Sequence, residues 1–298
     1  MKNTDAFGTY HPFVNLIYFI AVISITIFIM HPVILCISFF SSFTYSIMLN
    51  GHRAVKFNLL YMIPMMLIAA VFNPLFVHEG ATILAYFYNG NPLTLESVAY
   101  GAASALMLVS VIIWFSCYNA VLTSDKFIYL FGRIIPGMSL ILSMVLRFVP
   151  KYKAQIKVIS NAQKCIGRST SNGNIIERAK NGLKILSIML TWALENGIDT
   201  ADSMNARGYG LKGRTSFSNF RFDSRDRVVT IIIVILNAAL LYGIGAGHTY
   251  IKFYPTVKLA DLSVTSMFVY ACYLLLCFIP IIIDIMEVLK WKYLKLQA

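Results

Sequence analysis

Long apolar stretches, separated by short polar ones, make up most of the sequence. Each approaches the roughly 20 residues that a helix needs to cross a bilayer about 30 Å thick. We therefore predict an all-α integral membrane protein with about six transmembrane helices. The predicted spans are residues 13–30, 33–49, 57–77, 98–121, 228–246 and 262–285. The first two are short, and they could instead form one re-entrant pair.

The chain between the fourth and fifth spans has the pattern of two long amphipathic helices, in which apolar residues recur at steps of three and four. The first series is Val145, Val149, Tyr152, Ile156, Ile159, the polar Gln163 and Ile166, and the second is Leu183, Leu186, Leu190, Leu194, Ile198, Ala201 and Met204. Pro150 either kinks the first helix or marks its start. We divide the chain into N-terminal transmembrane helices (1–126), an amphipathic-helix region (127–227) and C-terminal transmembrane helices (228–298).

The second amphipathic helix carries a small residue at every fourth position, which allows another helix to approach closely. These residues are Ala193, Gly197 and Ala201. It also carries an acidic stripe, which destabilises the helix by a few tenths of a kcal/mol per pair unless cations face it. The stripe is Glu195, Asp199 and Asp202, and the first helix has a basic face formed by Lys153, Lys157, Lys164 and Arg168. We predict that the two helices cross in contact and that these charged faces meet.

Composition and charge place the protein in a membrane and orient it. Of its residues 58% are hydrophobic and only 13% are charged, against about a quarter charged in soluble domains. The net charge of +12 does not indicate a nucleic-acid partner, because the basic residues flank apolar spans. With six crossings and a cytoplasmic N-terminus, all 25 lysines and arginines except Lys252 and Lys258 lie on the cytoplasmic side. We therefore predict that both termini and the amphipathic region are cytoplasmic.

The second amphipathic helix ends on an arginine followed by glycines, at Arg207, Gly208 and Gly210. Glycine can adopt the left-handed conformation that closes a helix, and a cation suits the negative end of the helix dipole. This tip could be an ordinary helix terminus or a contact for anionic lipid headgroups. Because the guanidinium group is a planar fork, it also suits bidentate pairing with a carboxylate of a partner protein.

Two motifs in this region resemble the transmembrane T component of energy-coupling factor (ECF) transporters, the family that includes cobalt-transport permease subunits. The stronger motif is residues 195–210, ENGIDTADSMNARGYG, and the other is residues 146–150, LRFVP, followed by residues 162–164, AQK. The resemblance covers approximately residues 125–227, while the N-terminal spans match in hydropathy and order only.

This resemblance implies two coupling helices that each end in an Ala-Arg-Gly-like triplet and dock on one of two ABC-type ATP-binding subunits. The second triplet is intact as Ala206-Arg207-Gly208, whereas the first reads Cys165-Ile166-Gly167, with isoleucine in the place of arginine. Arg168 could substitute for that arginine, or the first tip could dock through apolar contacts.

The resemblance further implies a non-catalytic subunit of a bacterial cell-membrane importer. ATP and Mg²⁺ would be used by the partner subunits, with no cofactor bound to this chain. A separate membrane-embedded S component would bind the vitamin or metal ion and release it inward.

The sequence contains no phosphate loop, zinc-protease motif or nucleophile elbow that would indicate an enzyme. The glycine-rich run at residues 243–247 closes an apolar span, so close helix packing or the end of the span explains it better than nucleotide binding. The five cysteines do not have metal-ligand spacing. The main alternative function is an ion-coupled secondary transporter, which needs ionisable residues at mid-membrane depth. The candidates are His78, Glu79, Asp284 and Glu287, and all lie near span ends. A lipid-modifying enzyme is a third possibility.

Overall fold

A computed structural model describes residues 5–86, 88, 90–132, 135–171, 174–209, 211, 220–259 and 263–297. Helices account for most of this part of the chain. They are α1 (Pro12–Phe28), α2 (Pro32–Asn50), α3 (His52–Phe57), α4 (Ile63–Phe76), α5 (Leu95–Val121), α6 (Ser124–Gly132), α7 (Pro136–Cys165), α8 (Ile175–Ala206), α9 (Ser224–Gly245) and α10 (Val264–Gln297). A π-helical turn, Asn58–Met62, joins α3 to α4. Two short antiparallel hairpins complete the fold, β1 (Ile83–Tyr86) with β2 (Pro92–Thr94), and β3 (Ile251–Lys252) with β4 (Lys258–Leu259).

The prediction of an all-α membrane protein is confirmed. Among the described residues, five helical stretches are long and apolar enough to cross a bilayer: Pro32–Asn50, His52–Phe76, Leu95–Val121, Ser224–Gly245 and Val264–Lys295. The first predicted span corresponds to α1, an apolar helix of 17 residues, which is at the lower end of the length for a crossing. The predicted start of the last span, Leu262, lies outside the described residues.

The third and sixth spans differ from the prediction in their boundaries. The polar residues His52, Arg53 and Lys56, which we placed between spans, form the helical turns that lead into α4. The last helix continues well past residue 285 to Gln297. In both places the polar residues extend a helix beyond its apolar part, so hydropathy alone places the boundary too close to the centre of the span.

The chain forms two compact units. Residues Met1–Phe127 together with Phe220–Ala298 form the membrane unit, and residues Ile128–Asn219 form the hairpin unit, which contains α7 and α8. The division of the sequence at residues 126 and 227 was made on hydropathy and charge, and the compact units divide at Phe127 and Asn219.

Aromatic side chains fill the core of the membrane unit. Trp114 on α5 is fully buried, and its ring makes edge contacts with Tyr18 and Phe19 on α1 at centroid distances of 6.1 and 6.3 Å. A buried polar network crosses this core. Trp114 Nε1 donates to Ser38 Oγ at 2.9 Å, and Thr26 Oγ1 lies 2.9 Å from both Ser38 Oγ and the Tyr273 hydroxyl. The network joins α1, α2, α5 and α10, and every one of these polar groups has a partner away from water.

The glycine-rich run at residues 243–247 packs helices together, as we predicted. A Cβ atom at Gly243 would lie 2.3 Å from Val269 Cγ2 on α10, so α9 and α10 can approach this closely only because residue 243 has no side chain. Gly247 follows the end of α9 with a φ of +80°, the left-handed conformation that commonly follows a helix end.

We expect Gly243→Ala to lower the stability of the membrane unit by about 1–3 kcal/mol, because the added methyl group overpacks the contact with Val269. Gly245→Ala is the matched control in the same helix, since a Cβ atom there meets nothing within 4 Å. Thermal unfolding in detergent measures both. Equal melting temperatures for the two variants would contradict this account of the α9–α10 contact.

Candidate docking site at two helix tips

Helices α7 and α8 pack against each other as an antiparallel hairpin. Ile159 on α7 is buried together with Ile185 and Met189 on α8. Towards the other end of the contact, the rings of Tyr152 and Trp192 meet edge to face with centroids 5.7 Å apart. The predicted contact between the two amphipathic helices is therefore confirmed.

The predicted meeting of charged faces is wrong. Within the described residues, no lysine or arginine nitrogen lies within 4.0 Å of a carboxylate oxygen of the acidic stripe, Glu195, Asp199 and Asp202. The lysines on the basic face of α7, namely Lys153, Lys157 and Lys164, are exposed to solvent. The reason is that the face of α7 with Tyr152 and Ile159 buries apolar surface against α8, which stabilises the contact more than exposed ion pairs would.

The leucine series of α8 does not face α7 either. Its exposed fractions are 66% for Leu183, 54% for Leu186, 54% for Leu190, 64% for Leu194 and 65% for Ile198. Side chains at this spacing lie on one face of the helix, and we call these five residues the apolar stripe.

The small residues lie next to the apolar stripe. Ala193 is half-buried, Gly197 and Ala201 are exposed, and a Cβ atom at Gly197 would meet nothing within 4 Å. Gly197 and Ala201 are therefore left open to solvent in this structure. The role of Ala193, Gly197 and Ala201 in close helix packing stays a prediction.

The tip of α8 is closed by two hydrogen bonds around Gly208. The amide of Gly208 donates to the Asn205 carbonyl at 3.0 Å, and the amide of Tyr209 donates to the Met204 carbonyl at 3.0 Å. Gly208 has a φ of +80°, which a residue with a Cβ atom adopts only at a cost of about 1–2 kcal/mol. This pair of bonds is the Schellman arrangement, with Arg207 at the C-cap position. Gly210 lies outside the described residues.

The tip of α7 has the same backbone arrangement. The amide of Gly167 donates to the Lys164 carbonyl at 3.1 Å, and the amide of Arg168 donates to the Gln163 carbonyl at 2.9 Å. Gly167 has a φ of +77°, and the C-cap residue is Ile166.

The two tips therefore correspond residue by residue. Cys165 takes the place of Ala206, Ile166 that of Arg207, Gly167 that of Gly208, and Arg168 that of Tyr209. Hydrogen bonding alone thus places Ile166 at the position that Arg207 occupies at the α8 tip. Arg168 lies two residues after Ile166, at the position that corresponds to Tyr209.

The side chains at the two tips differ in chemistry but not in accessibility. Ile166 is 61% exposed, and Arg207 is also exposed. Among the described residues, no carboxylate oxygen lies within 4.0 Å of the Arg207 guanidinium group. The α8 tip therefore presents a cation, Arg207, that has no ion pair among the described residues. The α7 tip presents an apolar side chain, Ile166.

A groove opens between α7 and α8 on the side of the Arg207 tip. Its volume is about 770 Å³, and Arg147, Asp199 and Arg207 lie in its lining. The apolar part of the lining is Leu140, Met144, Met204 and Leu211. Two guanidinium groups and one carboxylate give the groove a net positive charge, which favours an acidic group on whatever enters it. Sequence reasoning did not predict this groove, because Arg147 and Arg207 lie far apart along the chain.

The two tips lie at opposite ends of the hairpin. The segment that follows the α7 tip is held at the start of α8, where Arg178 Nε donates to the Thr170 carbonyl at 2.8 Å. The Arg207 tip follows the last residue of α8, a helix of 32 residues. With a rise of 1.5 Å per residue, the tips are roughly 45 Å apart. A single small binding groove could not hold both.

Comparison with known proteins agrees with this geometry. A sequence model of the CbiQ family, described as cobalt transport protein, matches residues 9–217, which is more than half of the 298 residues. The chain belongs to the CbiQ family. The match covers α1 to α8 and both tips, so the first membrane helices and the hairpin belong to one family architecture, while α9 and α10 lie beyond the matched residues.

Several proteins similar to this CbiQ-family chain are named energy-coupling factor transporter transmembrane protein EcfT. Those from Lactococcus lactis subsp. cremoris, Streptococcus thermophilus and Brevibacillus brevis are 32%, 35% and 33% identical over 105, 106 and 106 residues. The alignments cover 35% of this chain and 40% of the length of each relative. This CbiQ-family protein is a multi-pass membrane protein of the transporter class.

Proposed function

We propose that this protein is the transmembrane T component of an ECF-type ABC importer in the bacterial cell membrane, with both termini and the hairpin in the cytoplasm. The observation that carries the proposal is the pair of identically capped tips at the two ends of one hairpin, one of them bearing Arg207. The names of the EcfT relatives support it. The chain itself performs no chemistry and binds no cofactor, because the partner subunits bind and hydrolyse MgATP.

Each tip docks on one of two ABC-type ATP-binding subunits. The spacing of roughly 45 Å between tips requires two separate docking sites. Arg207, between Ala206 and Gly208, offers a planar fork that forms two parallel hydrogen bonds with a partner carboxylate. The net positive charge of the neighbouring groove assists the approach of an acidic surface.

The α7 tip docks mainly through apolar contact, because Ile166 occupies the cap position there. Cys165 and Gly167 allow close approach of the partner backbone, and Arg168 contributes its charge at the edge of the contact. The two ATP-binding subunits are therefore held unequally, with the stronger attachment at Arg207.

The apolar stripe of α8 binds the S component. Exposed apolar surface of this extent commonly marks an interaction site, and the adjoining small residues Ala193, Gly197 and Ala201 permit a partner helix to come close. When the ATP-binding subunits hydrolyse ATP and change their separation, the tips move and the hairpin transmits that movement. The S component then reorients and releases a vitamin or a metal ion inward.

An ion-coupled secondary transporter would need ionisable groups available to a transport pathway. Asp284, on α10, is 7% exposed, and its Oδ1 accepts backbone hydrogen bonds from Ala6 and Phe7. Glu96, at the start of α5, accepts from the amide and the hydroxyl of Thr82. Both carboxylates are engaged in holding the fold, which favours the T component.

Co-purification from native membranes tests the proposal. We expect the full-length chain to bring down two ATP-binding subunits and one small membrane protein, and the purified complex to hydrolyse ATP. Isolation of the chain without any ATP-binding subunit, under conditions that preserve membrane complexes, would contradict the proposal.

Ile166→Glu should weaken the association of ATP-binding subunits less than Arg207→Glu does. The lost apolar contact is worth about 1.5–3 kcal/mol at most, whereas leaving a partner carboxylate unpaired at Arg207 costs about 2–5 kcal/mol. Quantitative pull-down at matched expression compares the two variants. Equal losses would show that the tips are equivalent docking points.

A further inference from the structure

The N-terminal segment of the membrane unit, residues 5–11, is bonded to the far end of the chain. Ala6 and Phe7 donate their amide hydrogens to Asp284 Oδ1 on α10, at 2.9 and 3.1 Å. Asp5 Oδ1 accepts from the amide of Gly8 at 2.9 Å, which closes the segment into a turn. The two bonds to Asp284 join residues more than 270 positions apart in the sequence.

A buried aromatic ring fixes this segment in place. Phe7 is completely buried, and its ring makes edge contacts with Tyr18 and Phe19 on α1, with centroids 5.2 and 6.4 Å apart. Burying a phenylalanine side chain stabilises the arrangement by about 1.5–3 kcal/mol. The segment is thus part of the core and not a peripheral tail.

The same segment is bonded to the point where the chain leaves the membrane unit. Lys126 on α6 is only 7% exposed. It immediately precedes Phe127, after which the chain passes from the membrane unit into the hairpin unit. Lys126 Nζ donates to the Gly8 carbonyl and, at 2.9 Å, to the Val121 carbonyl. With its amide oriented to satisfy both groups, Asn15 accepts from Lys126 Nζ and donates to the Phe7 carbonyl, each at 3.1 Å.

The charge of Lys126 is compensated inside the protein. Burial lowers the pKa of the Lys126 ammonium group, and the attraction of the Asp5 carboxylate acts against that shift. Burial likewise raises the pKa of Asp5, while the Gly8 amide and Lys126 oppose the rise. A buried charge that keeps its partners is tolerated, whereas removal of one partner is strongly destabilising locally.

The segment is also bonded to the point where the chain re-enters the membrane unit, just after Phe220. The His11 amide donates to Asp226 Oδ1 at 3.0 Å, and Asp226 Oδ2 accepts from the Asp223 amide at the start of α9. The His11 and Phe222 rings meet edge to face at 5.1 Å. The Arg225 guanidinium group lies 5.6 Å from the centre of the Tyr10 ring.

We propose that residues 5–11 form a strap that holds the exit point at Lys126, the re-entry point at Asp226 and the last membrane helix at Asp284 in one fixed arrangement. Lys126, Asp226 and Asp284 are then positioning residues for coupling. The two points are the covalent connections between the hairpin unit and the membrane unit, so a movement of the hairpin acts on both. Because the strap joins both points to α10, they transmit the movement together and do not loosen separately. This consequence rests on the proposed function, while the strap itself rests on the bonds described above.

Hydrogen–deuterium exchange of the purified chain tests the strap directly. Lys126→Met preserves side-chain length but removes the donor to the Gly8 and Val121 carbonyls. We expect amides of residues 6–11 and 222–227 to exchange at least about tenfold faster, with residues 18–25 of α1 unchanged. Lys290→Met, at an exposed lysine on α10, is the control and should leave all of these segments unchanged. Unchanged exchange in residues 6–11 of Lys126→Met would overturn the strap. Equal acceleration in residues 18–25 would also overturn it, because general unfolding would then be the cause.

A matched pair at position 284 separates hydrogen bonding from mere packing. Asp284→Asn keeps an oxygen that accepts from the Ala6 and Phe7 amides, so these amides should stay protected. Asp284→Leu removes the acceptor, and the same amides should exchange faster. If the Ala6 and Phe7 amides stayed protected in Asp284→Leu as well as in Asp284→Asn, this result would contradict the role of Asp284 in the strap.

The consequence for coupling is tested on the complex with its ATP-binding subunits, with MgATP as the probe. In the wild type, MgATP should change exchange in the hairpin and also in residues 5–11 and 264–297. Lys126→Met should keep the change in the hairpin and lose it in residues 5–11 and 264–297. The same MgATP response in both proteins would overturn the coupling role. If no ATP-binding subunit associates even with the wild type, the proposed function fails, and the exchange of the isolated chain still decides whether the strap exists.

Discussion

Arg207→Glu is expected to abolish stable association of this chain with ATP-binding subunits while leaving its insertion into the membrane intact. Removal of one member of a hydrogen-bonded charge pair costs about 2–5 kcal/mol, and the new carboxylate adds repulsion. This corresponds to a loss of affinity of about 30-fold to several thousand-fold. The effect on the helix itself is smaller, about 0.3–1 kcal/mol, because the cap bonds are made by the backbone of Gly208 and Tyr209.

Two further variants make this result specific. Arg207→Lys keeps the charge and loses the planar fork, so we expect partial association, weaker by about tenfold. Lys153→Glu reverses a charge at an exposed position of α7 near the middle of the hairpin, away from both tips, and should bind as the wild type does. Pull-down of ATP-binding subunits and ATP-driven uptake in whole cells measure all three variants. Unaffected uptake in Arg207→Glu would remove the basis for docking through this tip.

Leu190→Glu is expected to release the S component while the ATP-binding subunits remain bound. Leu190 lies in the middle of the apolar stripe and is 54% exposed, so the substitution does not disturb the contact with α7. A charge placed in a buried apolar interface costs about 2 kcal/mol or more, which corresponds to a loss of affinity of at least about 30-fold.

Thr191→Glu is the control for Leu190→Glu. Thr191 is the next residue, is also exposed and lies outside the apolar stripe, so we expect its variant to retain the S component. The measurement is the ratio of small membrane protein to ATP-binding subunit in the purified complex. An unchanged ratio in Leu190→Glu would show that the S component binds elsewhere.

The sequence predicted features that depend on local pattern. Hydropathy predicted the membrane spans to within a few residues, except where His52, Arg53 and Lys56 continue a helix and where the last helix continues past residue 285 to Gln297. Gly208 indicated a helix end, and it has a positive φ, as does Gly167 at the equivalent position of the α7 tip. The spacing of Tyr152 and Ile159 was sufficient to predict that α7 packs against a helix.

Features that depend on distant residues were beyond sequence reasoning. The acidic stripe indicated contact with the lysines of α7, but the pattern could not show that apolar Tyr152 and Ile159 would occupy that contact instead. The strap joins Ala6 to Asp284, which are separated by 278 positions, and no local signal connects them. In the sequence, the equivalence of Ile166 and Arg207 rests on family resemblance alone. The hydrogen bonds of the two caps establish it independently.

The most direct test of the central claim is site-specific photo-cross-linking in native membranes. A photoreactive amino acid is placed in turn at positions 166, 207 and 191, with position 191, exposed near the middle of α8, as the control. We expect cross-links from positions 166 and 207 to ATP-binding subunits, and none from position 191. Cross-links from position 207 to lipid alone, or to no protein in a chain that is correctly inserted, would contradict docking through the helix tips.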